Sequence, residues 1–262
     1  MANKKKFWIL LALALLCSGL LVFVITMSVN GWDFHTLDTG NYQTTSHEIS
    51  EDFNEIFVES DTADVVFLTA TDGKAKVVCY EEENLKYSVQ VQDGKLTIRE
   101  TDTRKWYEYI GFHFESAEIS VYLPQNTALS LFVETDTGDV DANGFTFEKL
   151  AIETDTGDVA LHNVVADTVH ISVDTGDIQL TDVVANSKLQ IETDTGDVEF
   201  VRCDANEIFV ETDTGDVEGT LLTPKTFFAY SRTGDVVVPY PSEGGRCAIT
   251  SNTGDIELRI TQ

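Results

Sequence analysis

Apolar and polar residues alternate along most of the chain after residue 46, and from residue 129 the alternation recurs in similar blocks. Each block holds two runs with apolar residues two positions apart, which is the side-chain period of a β-strand. The two runs are separated by the tripeptide Thr-Gly-Asp. The pattern predicts pairs of short strands joined by a tight turn, with one face of each pair turned inward.

The turn recurs every 19 or 20 residues. Its glycines are Gly138, Gly157, Gly176, Gly196, Gly215, Gly234 and Gly254. A fixed period near 20 is typical of solenoids, in which each repeat buries its apolar side only against its neighbours. We therefore expect an all-β, parallel, β-helix-like solenoid of about seven coils, and we assign the glycines a structural role in the turn, as residues without a Cβ that enter the left-handed region at little cost.

Apolar positions around each glycine define the predicted core. They lie seven and five residues before it and two and four residues after it, as in Leu131, Val133, Val140 and Ala142. A further inward column, seven residues after the glycine, is formed by Phe145, Val164, Val183, Cys203 and Leu222. Cys203 and Cys247 fall in different columns, so we expect both to be buried free thiols. An odd number of cysteines beyond residue 30 also disfavours a disulfide framework.

Residues 46–124 have strand patterns without the regular repeat, and we expect them to cap the solenoid formed by residues 125–262. Two alternating runs flank Asp93-Gly94, a strong hairpin signal. Residues 60–65 resemble a degenerate copy of the repeat, with Ala63 in place of the glycine. The aromatic-rich segment 102–116 is expected to cover the open end of the solenoid, or alternatively to form an exposed contact patch.

The N-terminus carries an apolar run over residues 7–27 that contains no charged residue and follows three lysines. At about 1.5 Å per residue a helix of this length spans roughly 30 Å, enough to cross a bilayer. Basic residues before the run favour a cytoplasmic N-terminus. We expect residues 1–30 to form a cytoplasmic stub and an uncleaved signal-anchor, residues 31–45 a tether, and the rest an extracellular domain. A cleaved signal peptide is the alternative.

The chain is strongly acidic, with 45 acidic against 17 basic residues and a formal charge of −28. Nucleic acid is therefore excluded as a partner, because binding its backbone requires a positive surface. Much of the acidity lies in two columns beside the turns. The first column precedes the glycine by two residues and holds Asp136, Asp155, Asp174, Asp194 and Asp213; the second follows it directly and holds Asp139, Asp158, Asp177, Asp197 and Asp216, and also Asp235 and Asp255.

Two interpretations of the acidic columns remain open. In the structural one, the second column forms a ladder of carboxylates, in which a like-charged pair at the ~4.8 Å strand spacing costs ~1 kcal/mol, whereas a bond from an amide to a carboxylate contributes ~1.5–3 kcal/mol and outweighs the repulsion. We expect such bonds in Asx turns at the first column, and a ladder of hydroxyls from the inward Thr135, Thr154, Thr193 and Thr212. In the other interpretation the ten aspartates from Asp136 to Asp216 bind calcium, which prefers oxygen ligands. No other cofactor is expected.

The repeat resembles that of the putative-adhesin, β-strand-repeat family of bacterial envelope proteins, a domain of unknown function. The family's Ser/Thr-Gly-Asp-Val/Ile motif is met in all seven copies, and residues 121–124 are similar to its strand ending in Leu-Pro before the first repeat. The extra Asp before the Thr departs from the usual pattern. The resemblance covers about residues 46–262. It implies a surface β-solenoid, membrane-anchored in some members and linked to envelope stress, and it supplies no catalytic residue.

These observations favour a non-catalytic binding, adhesin-like or scaffold module at the cell envelope, with a cell-wall polymer or a protein as partner. The alternatives are a calcium-binding surface protein, an accessory component of an envelope-stress response and, less favoured, a carbohydrate-active β-helix enzyme. The acids recur in every repeat, so no catalytic pair is singled out. Because the chain ends almost without a cap, self-association through the C-terminal coil is a further expectation.

Overall fold

The computed structural model describes residues 2–32, 41–105, 116–124, 129–240 and 243–261. The chain divides into two compact units, residues 1–40 with 105–115, and residues 41–104 with 116–262. The first contains α1 (Ala2–Val29). Within α1, Lys6–Val29 is long and apolar enough to cross a membrane, with a mean hydropathy of 2.8 in a window that is fully exposed. The aromatic residues of segment 102–116, from Trp106 to Phe114, lie outside the described residues.

The second unit consists of β-strands, as its alternating pattern predicts. They are β1 (Tyr42–Glu48), β2 (Glu55–Ser60), β3 (Ala63–Thr69), β4 (Lys76–Glu82), β5 (Leu85–Gln92), β6 (Lys95–Asp102), β7 (Ala117–Leu123), β8 (Leu129–Thr137), β9 (Val140–Asn143), β10 (Thr146–Thr156), β11 (Val159–His162), β12 (Val165–Thr175), β13 (Ile178–Thr181), β14 (Val184–Thr195), β15 (Val198–Thr214), β16 (Val217–Leu221), β17 (Lys225–Thr233), β18 (Val236–Val237), β19 (Gly245–Thr253) and β20 (Ile256–Ile260).

The repeats stack by parallel pairing in register, and we call the two strands that flank one turn a layer. β8 pairs with β10, β10 with β12 and β12 with β14, so that Leu131, Leu150 and Val169 lie in one column. The short strands β9, β11 and β13 stack in the same way. β15 runs on from one layer to the next: it pairs first with β13 and then with β14.

The sheet is mixed: the strands beside the Thr-Gly-Asp turns pair in parallel, and the antiparallel pairs lie at the N-terminal end. β2 and β3 continue the parallel stack below β8 and β9, and β6 and β7 lie beyond them. Antiparallel pairs then follow, β5 on β6, β4 on β7 and β1 on β4. The predicted hairpin at Asp93-Gly94 joins β5 and β6, and both turn residues have positive φ. Part of the region expected to cap the solenoid thus belongs to the stack itself.

At the C-terminal end the spatial order of the layers differs from their order in the sequence. β19 lies between β15 and β17, and β20 lies between β16 and β18. Two adjacent glycines mark the strand that is inserted. A Cβ on Gly244 would lie 2.0 Å from the carbonyl oxygen of Pro224, and one on Gly245 would lie 2.2 Å from that of Asn206. The last layer in the sequence is therefore an interior layer.

The predicted inward columns form the core, except that Leu222 and Val236 are exposed and that Phe227, Ala229 and Val238 of the outermost layer are half-buried. Leu222 is 41% exposed, and Leu221 is buried in its place, because the register shifts so that Leu221 pairs with Cys203. Val236 is 40% exposed because its layer is the outermost one. Cys79, Cys203 and Cys247 are buried and free, which confirms the prediction for the latter two.

Candidate functional site: the stacked Thr-Gly-Asp turns

The turn glycines lie directly on the backbone of the neighbouring turn. A Cβ on Gly196 would lie 1.9 Å from the carbonyl oxygen of Gly176, and one on Gly215 would lie 1.9 Å from that of Gly196. The same contact joins Gly215 to Gly254 and Gly254 to Gly234, at 2.0 and 2.1 Å. Any side chain would therefore push two layers apart, which explains a glycine at this position.

The backbone conformation of these glycines differs from the left-handed turn that the sequence suggested. From Gly157 to Gly254 their φ angles lie between 148° and 154°, a region that residues with a Cβ rarely adopt. Gly138 does not share this positive φ, yet a Cβ there would lie 2.2 Å from the carbonyl oxygen of Ala63. Close approach is thus common to the whole column. Ala63 itself stacks on Ala117 at the start of β7, where no Thr-Gly-Asp turn lies.

The second aspartate of each turn joins neighbouring layers. Oδ1 of Asp139 accepts a hydrogen bond from the backbone N–H of Asp158 at 2.8 Å, and Oδ1 of Asp158 accepts one from that of Asp177 at 2.8 Å. The series runs through the stack with distances of 2.7 to 3.0 Å, in the order Asp64, Asp139, Asp158, Asp177, Asp197, Asp216, Asp255 and Asp235. Each carboxylate from Asp64 to Asp255 therefore satisfies a backbone amide of the next layer.

Asp64 begins this carboxylate ladder in the degenerate repeat. It is half-buried, and burial raises the pKa of its carboxyl, while the hydrogen bond from the amide of Asp139 acts in the opposite direction. The position shows that residues 60–65 do act as a repeat layer, although they lack the glycine.

The first aspartate column does not make the predicted Asx turns. In the described part of the chain its only hydrogen bond is at Asp213, whose Oδ1 accepts from Nδ2 of Asn252 at 2.6 Å. The bonds fall to the second column because its side chains point along the stack at the next backbone amide. Among the described residues, no group of three or more His, Cys, Asp or Glu side chains is placed to hold a metal ion.

The threonines three residues before the glycine are buried, as predicted, but they form no hydroxyl ladder. The hydroxyls of Thr135, Thr154, Thr193 and Thr212 have no hydrogen-bond partner. Val173 occupies the same column and is equally buried. Since valine and threonine have similar shapes, the column packs through its methyl groups.

A second turn column lies at the other end of the short strands, and the sequence prediction missed it. Gly144, Asn163, Asp182 and Arg202 succeed one another there with φ between 52° and 84°. Arg202 pairs with Asp182, and this hydrogen bond lowers the pKa of the Asp182 carboxyl. The Asn143-Gly144 pair is the sequence signal that could have revealed this turn.

A buried ion pair ties the outermost layer to the one beneath the inserted strand. Lys225 is 2% exposed, and its Nζ donates to the carbonyl oxygen of Ala205 at 2.6 Å and to Oγ1 of Thr223 at 2.8 Å. The same ammonium group forms an ion pair with Asp204. Gly245, between the two layers, has no side chain to obstruct this contact. The isolated Lys gave no sequence signal of burial.

The remaining titratable groups in the core are held neutral or hydrogen-bonded. Burial raises the pKa of Cys79 to about 12, of Cys203 to about 11 and of Cys247 to about 12, so these thiols are poor nucleophiles. Burial also raises the pKa of Tyr87, whose hydroxyl lies 3.2 Å from that of Ser60 and donates to Glu100 at 3.3 Å. Tyr87, Ser60 and Glu100 thus link β5, β2 and β6 by hydrogen bonds.

A cavity of about 490 Å³ lies beside β1, and Ile49, Phe53, Lys74 and three acidic residues contribute to its lining. In the described ranges the repeated turns are thus the feature that distinguishes this chain, and their chemistry is that of a stacking device with an acidic outer surface.

The family comparison matches the part of the chain that carries the repeat and the β-stack. Residues 53–262 match the family described as Toastrack DUF4097. The chain belongs to the Toastrack family. The resemblance to the putative-adhesin, β-strand-repeat proteins is thereby confirmed, and this Toastrack chain is mostly β with a solenoid-like fold and one N-terminal apolar helix.

Solved structures with similar folds include two bacterial proteins. A putative adhesin from Bacteroides fragilis superimposes with a TM-score of 0.52 at 18% identity, over 84% of this chain and 97% of that one. A putative lipid binding protein from Parabacteroides distasonis superimposes with a TM-score of 0.48 at 14% identity, over 85% of this chain and 98% of that one. At such identities the likeness concerns the fold alone. No curated protein matches the Toastrack chain.

Proposed function

We propose that this Toastrack protein is a non-catalytic binding module, adhesin-like or scaffolding, tethered to the outer side of the bacterial cell membrane. The observation that carries the proposal is the recurrence of one turn chemistry in successive layers. A repeated surface suits an extended, multivalent contact, whereas catalysis needs one constellation of acid, base and nucleophile. We count the stack as a parallel solenoid with seven repeat-bearing coils, extended at the N-terminal end by the layers of β2/β3 and β6/β7.

The membrane anchor is α1, through residues 7–27. The three lysines before this apolar run support a cytoplasmic N-terminus, and a candidate span of 24 residues, Lys6–Val29, supports retention in the membrane. The acidic domain would then lie outside. Protease treatment of intact cells tests this orientation: the domain should be degraded while a tag placed before Met1 survives. Survival of the domain would contradict it.

The proposed partner is a cell-wall polymer or an envelope protein, in keeping with the fold shared with a putative adhesin. Co-sedimentation of the full-length protein with purified cell walls tests the adhesin-like role, and specific retention is the expected result. If it stays in the supernatant and a membrane protein is instead recovered by crosslinking at α1, the accessory role replaces the adhesin-like one.

A further inference from the structure

The outermost layer at the C-terminal end of the stack has an unpaired edge. Among the described strands, β17 pairs with β19 and β18 with β20, and neither has a neighbour on its other side. In the interior layers the glycine N–H donates to a Thr carbonyl of the next layer, as from Gly254 to Thr233 at 3.0 Å. By the same geometry the N–H groups of Gly234 and Val236 point to where a further layer would lie. The edge is therefore a template for another strand.

Large apolar side chains are exposed on this layer. Phe228 is 58% exposed, Tyr230 60% and Val237 57%. The Arg246 guanidinium lies 5.4 Å from the ring of Phe228 and 5.1 Å from that of Phe209, which is in the same outward column two layers below. Phe209 also has the Lys188 ammonium 4.9 Å from its ring and is half-buried, whereas Phe228 stays exposed on the open edge. An apolar group beside an unpaired strand edge is typical of an interaction surface.

The charge of the layer also differs from that of the stack. Residues 225–240 contain Lys225, Arg232 and one acid, Asp235, and Lys225 is already paired within the core. By contrast, residues 204–224 carry six acids and no basic residue. Arg232 stands where most other turns have the first aspartate. This edge is thus where two copies of a chain with charge −28 can meet with little local repulsion.

We propose that the β17/β18 edge is a self-association surface whose occupant is the same edge of a second copy. A twofold axis places β17 antiparallel to its counterpart, which satisfies the free backbone groups of both copies and covers Phe228 and Tyr230 in each. The axis also keeps the acidic layers of the two copies apart. The C-terminal coil, first expected to associate, cannot do so, since β19 and β20 have strands on both sides.

Light scattering of the full-length protein in detergent, together with two edge variants, tests the proposal. The wild type should form a dimer, and more of it as salt screens the net charge. Phe228→Lys and Tyr230→Lys each place a charge on the exposed edge without removing a buried group, so each should yield a monomer. His170→Lys is the matched control, because His170 is exposed in the same outward column of an interior layer, and it should remain dimeric.

Three results would overturn the proposal. A wild type that is monomeric at all concentrations and salt levels would show that the edge stays unpaired. A dimer that persists in both edge variants would place the contact elsewhere, α1 included. A monomeric His170→Lys protein would show that association depends on the flank of the stack. Circular dichroism of each variant checks that the strands remain formed.

Discussion

Seven glycines keep the turns stacked, because each lies against the backbone of a neighbouring layer. A glycine can be required either by a positive φ or by a backbone so close that a Cβ would clash with it, and two glycines of this chain separate these reasons. Gly196 has both a positive φ and a carbonyl oxygen within 1.9 Å of a Cβ, whereas Gly144 has a positive φ but its nearest neighbour is 3.9 Å away.

Gly196→Ala should therefore be much more damaging than Gly144→Ala. Gly144→Ala should lower the free energy of unfolding only through its unfavourable φ, by about 1–2 kcal/mol. Gly196→Ala must also separate two layers and should lower it by at least about 3 kcal/mol. Urea denaturation measures both. Equal losses of stability would mean that the layers can move apart freely and would contradict close stacking.

The carboxylate ladder makes a different prediction, which separates charge from hydrogen bonding. Asp177→Ala removes the acceptor for the amide of Asp197 and should destabilise the fold by about 1 kcal/mol. Asp177→Asn keeps an acceptor and removes one charge from the row, so it should cost less or even stabilise. Thermal denaturation ranks the two. If the asparagine variant is the less stable one, the negative charge itself is required.

At the scale of elements, the insertion of β19 between β15 and β17 places a lysine in the core. Lys225→Met leaves Asp204 without its partner and should cost about 3 kcal/mol. Adding Asp204→Asn should recover most of that loss, since the amide oxygen can still accept from Thr223. Denaturant titrations of the single and double variants check this. Additive losses would show that the two side chains do not interact.

The sequence predicted the elements well where a single physical rule decides them. The period of two and the recurring glycines placed Leu131 and Val140 in the core and located the turns, because every layer repeats the same packing problem. The sequence could not predict the order of the last layers. If β17 paired with β15 instead of β19, similar apolar columns would still form, so the alternation pattern does not distinguish the two arrangements. Only Gly244 and Gly245 mark the choice, and their role depends on carbonyl oxygens distant in the sequence.

The candidate site was predicted in its residues but only in part in its contacts. Both aspartate columns were recognised, and a carboxylate ladder offset by amide bonds was predicted for Asp139 and its equivalents. The Asx turns predicted for Asp136 and its equivalents do not form, and the bonds of the ladder run between layers. Whether a side chain points across a turn or along a stack depends on backbone angles near the glycine. Those angles, φ near 150°, follow from the close contact between layers and have no signature of their own in the sequence.

For the whole molecule, the ladder gives the carboxylates of the second column amide partners that offset the repulsion between like charges in a chain of charge −28. Each Oδ1 of the second column already accepts an amide bond, except at the outermost Asp235. We therefore expect the same melting temperature in calcium and in a chelator, at equal ionic strength. A rise of several degrees in calcium alone would restore the calcium-binding interpretation.

The stack and the proposed β17/β18 edge both depend on the order of the last layers, in which β19 and β20 lie inside β17 and β18. Disulfide trapping tests this order most directly. Asp213 and Asn252 lie side by side in adjacent layers, and Arg232 lies one layer further out. In the full-length protein under oxidising conditions, Asp213→Cys with Asn252→Cys should form a disulfide, and Asp213→Cys with Arg232→Cys should not. The three native thiols of the stack are buried, and the exposed Cys17 of α1 is replaced by serine in both variants so that it cannot interfere. A disulfide between positions 213 and 232, with none between 213 and 252, would contradict the account.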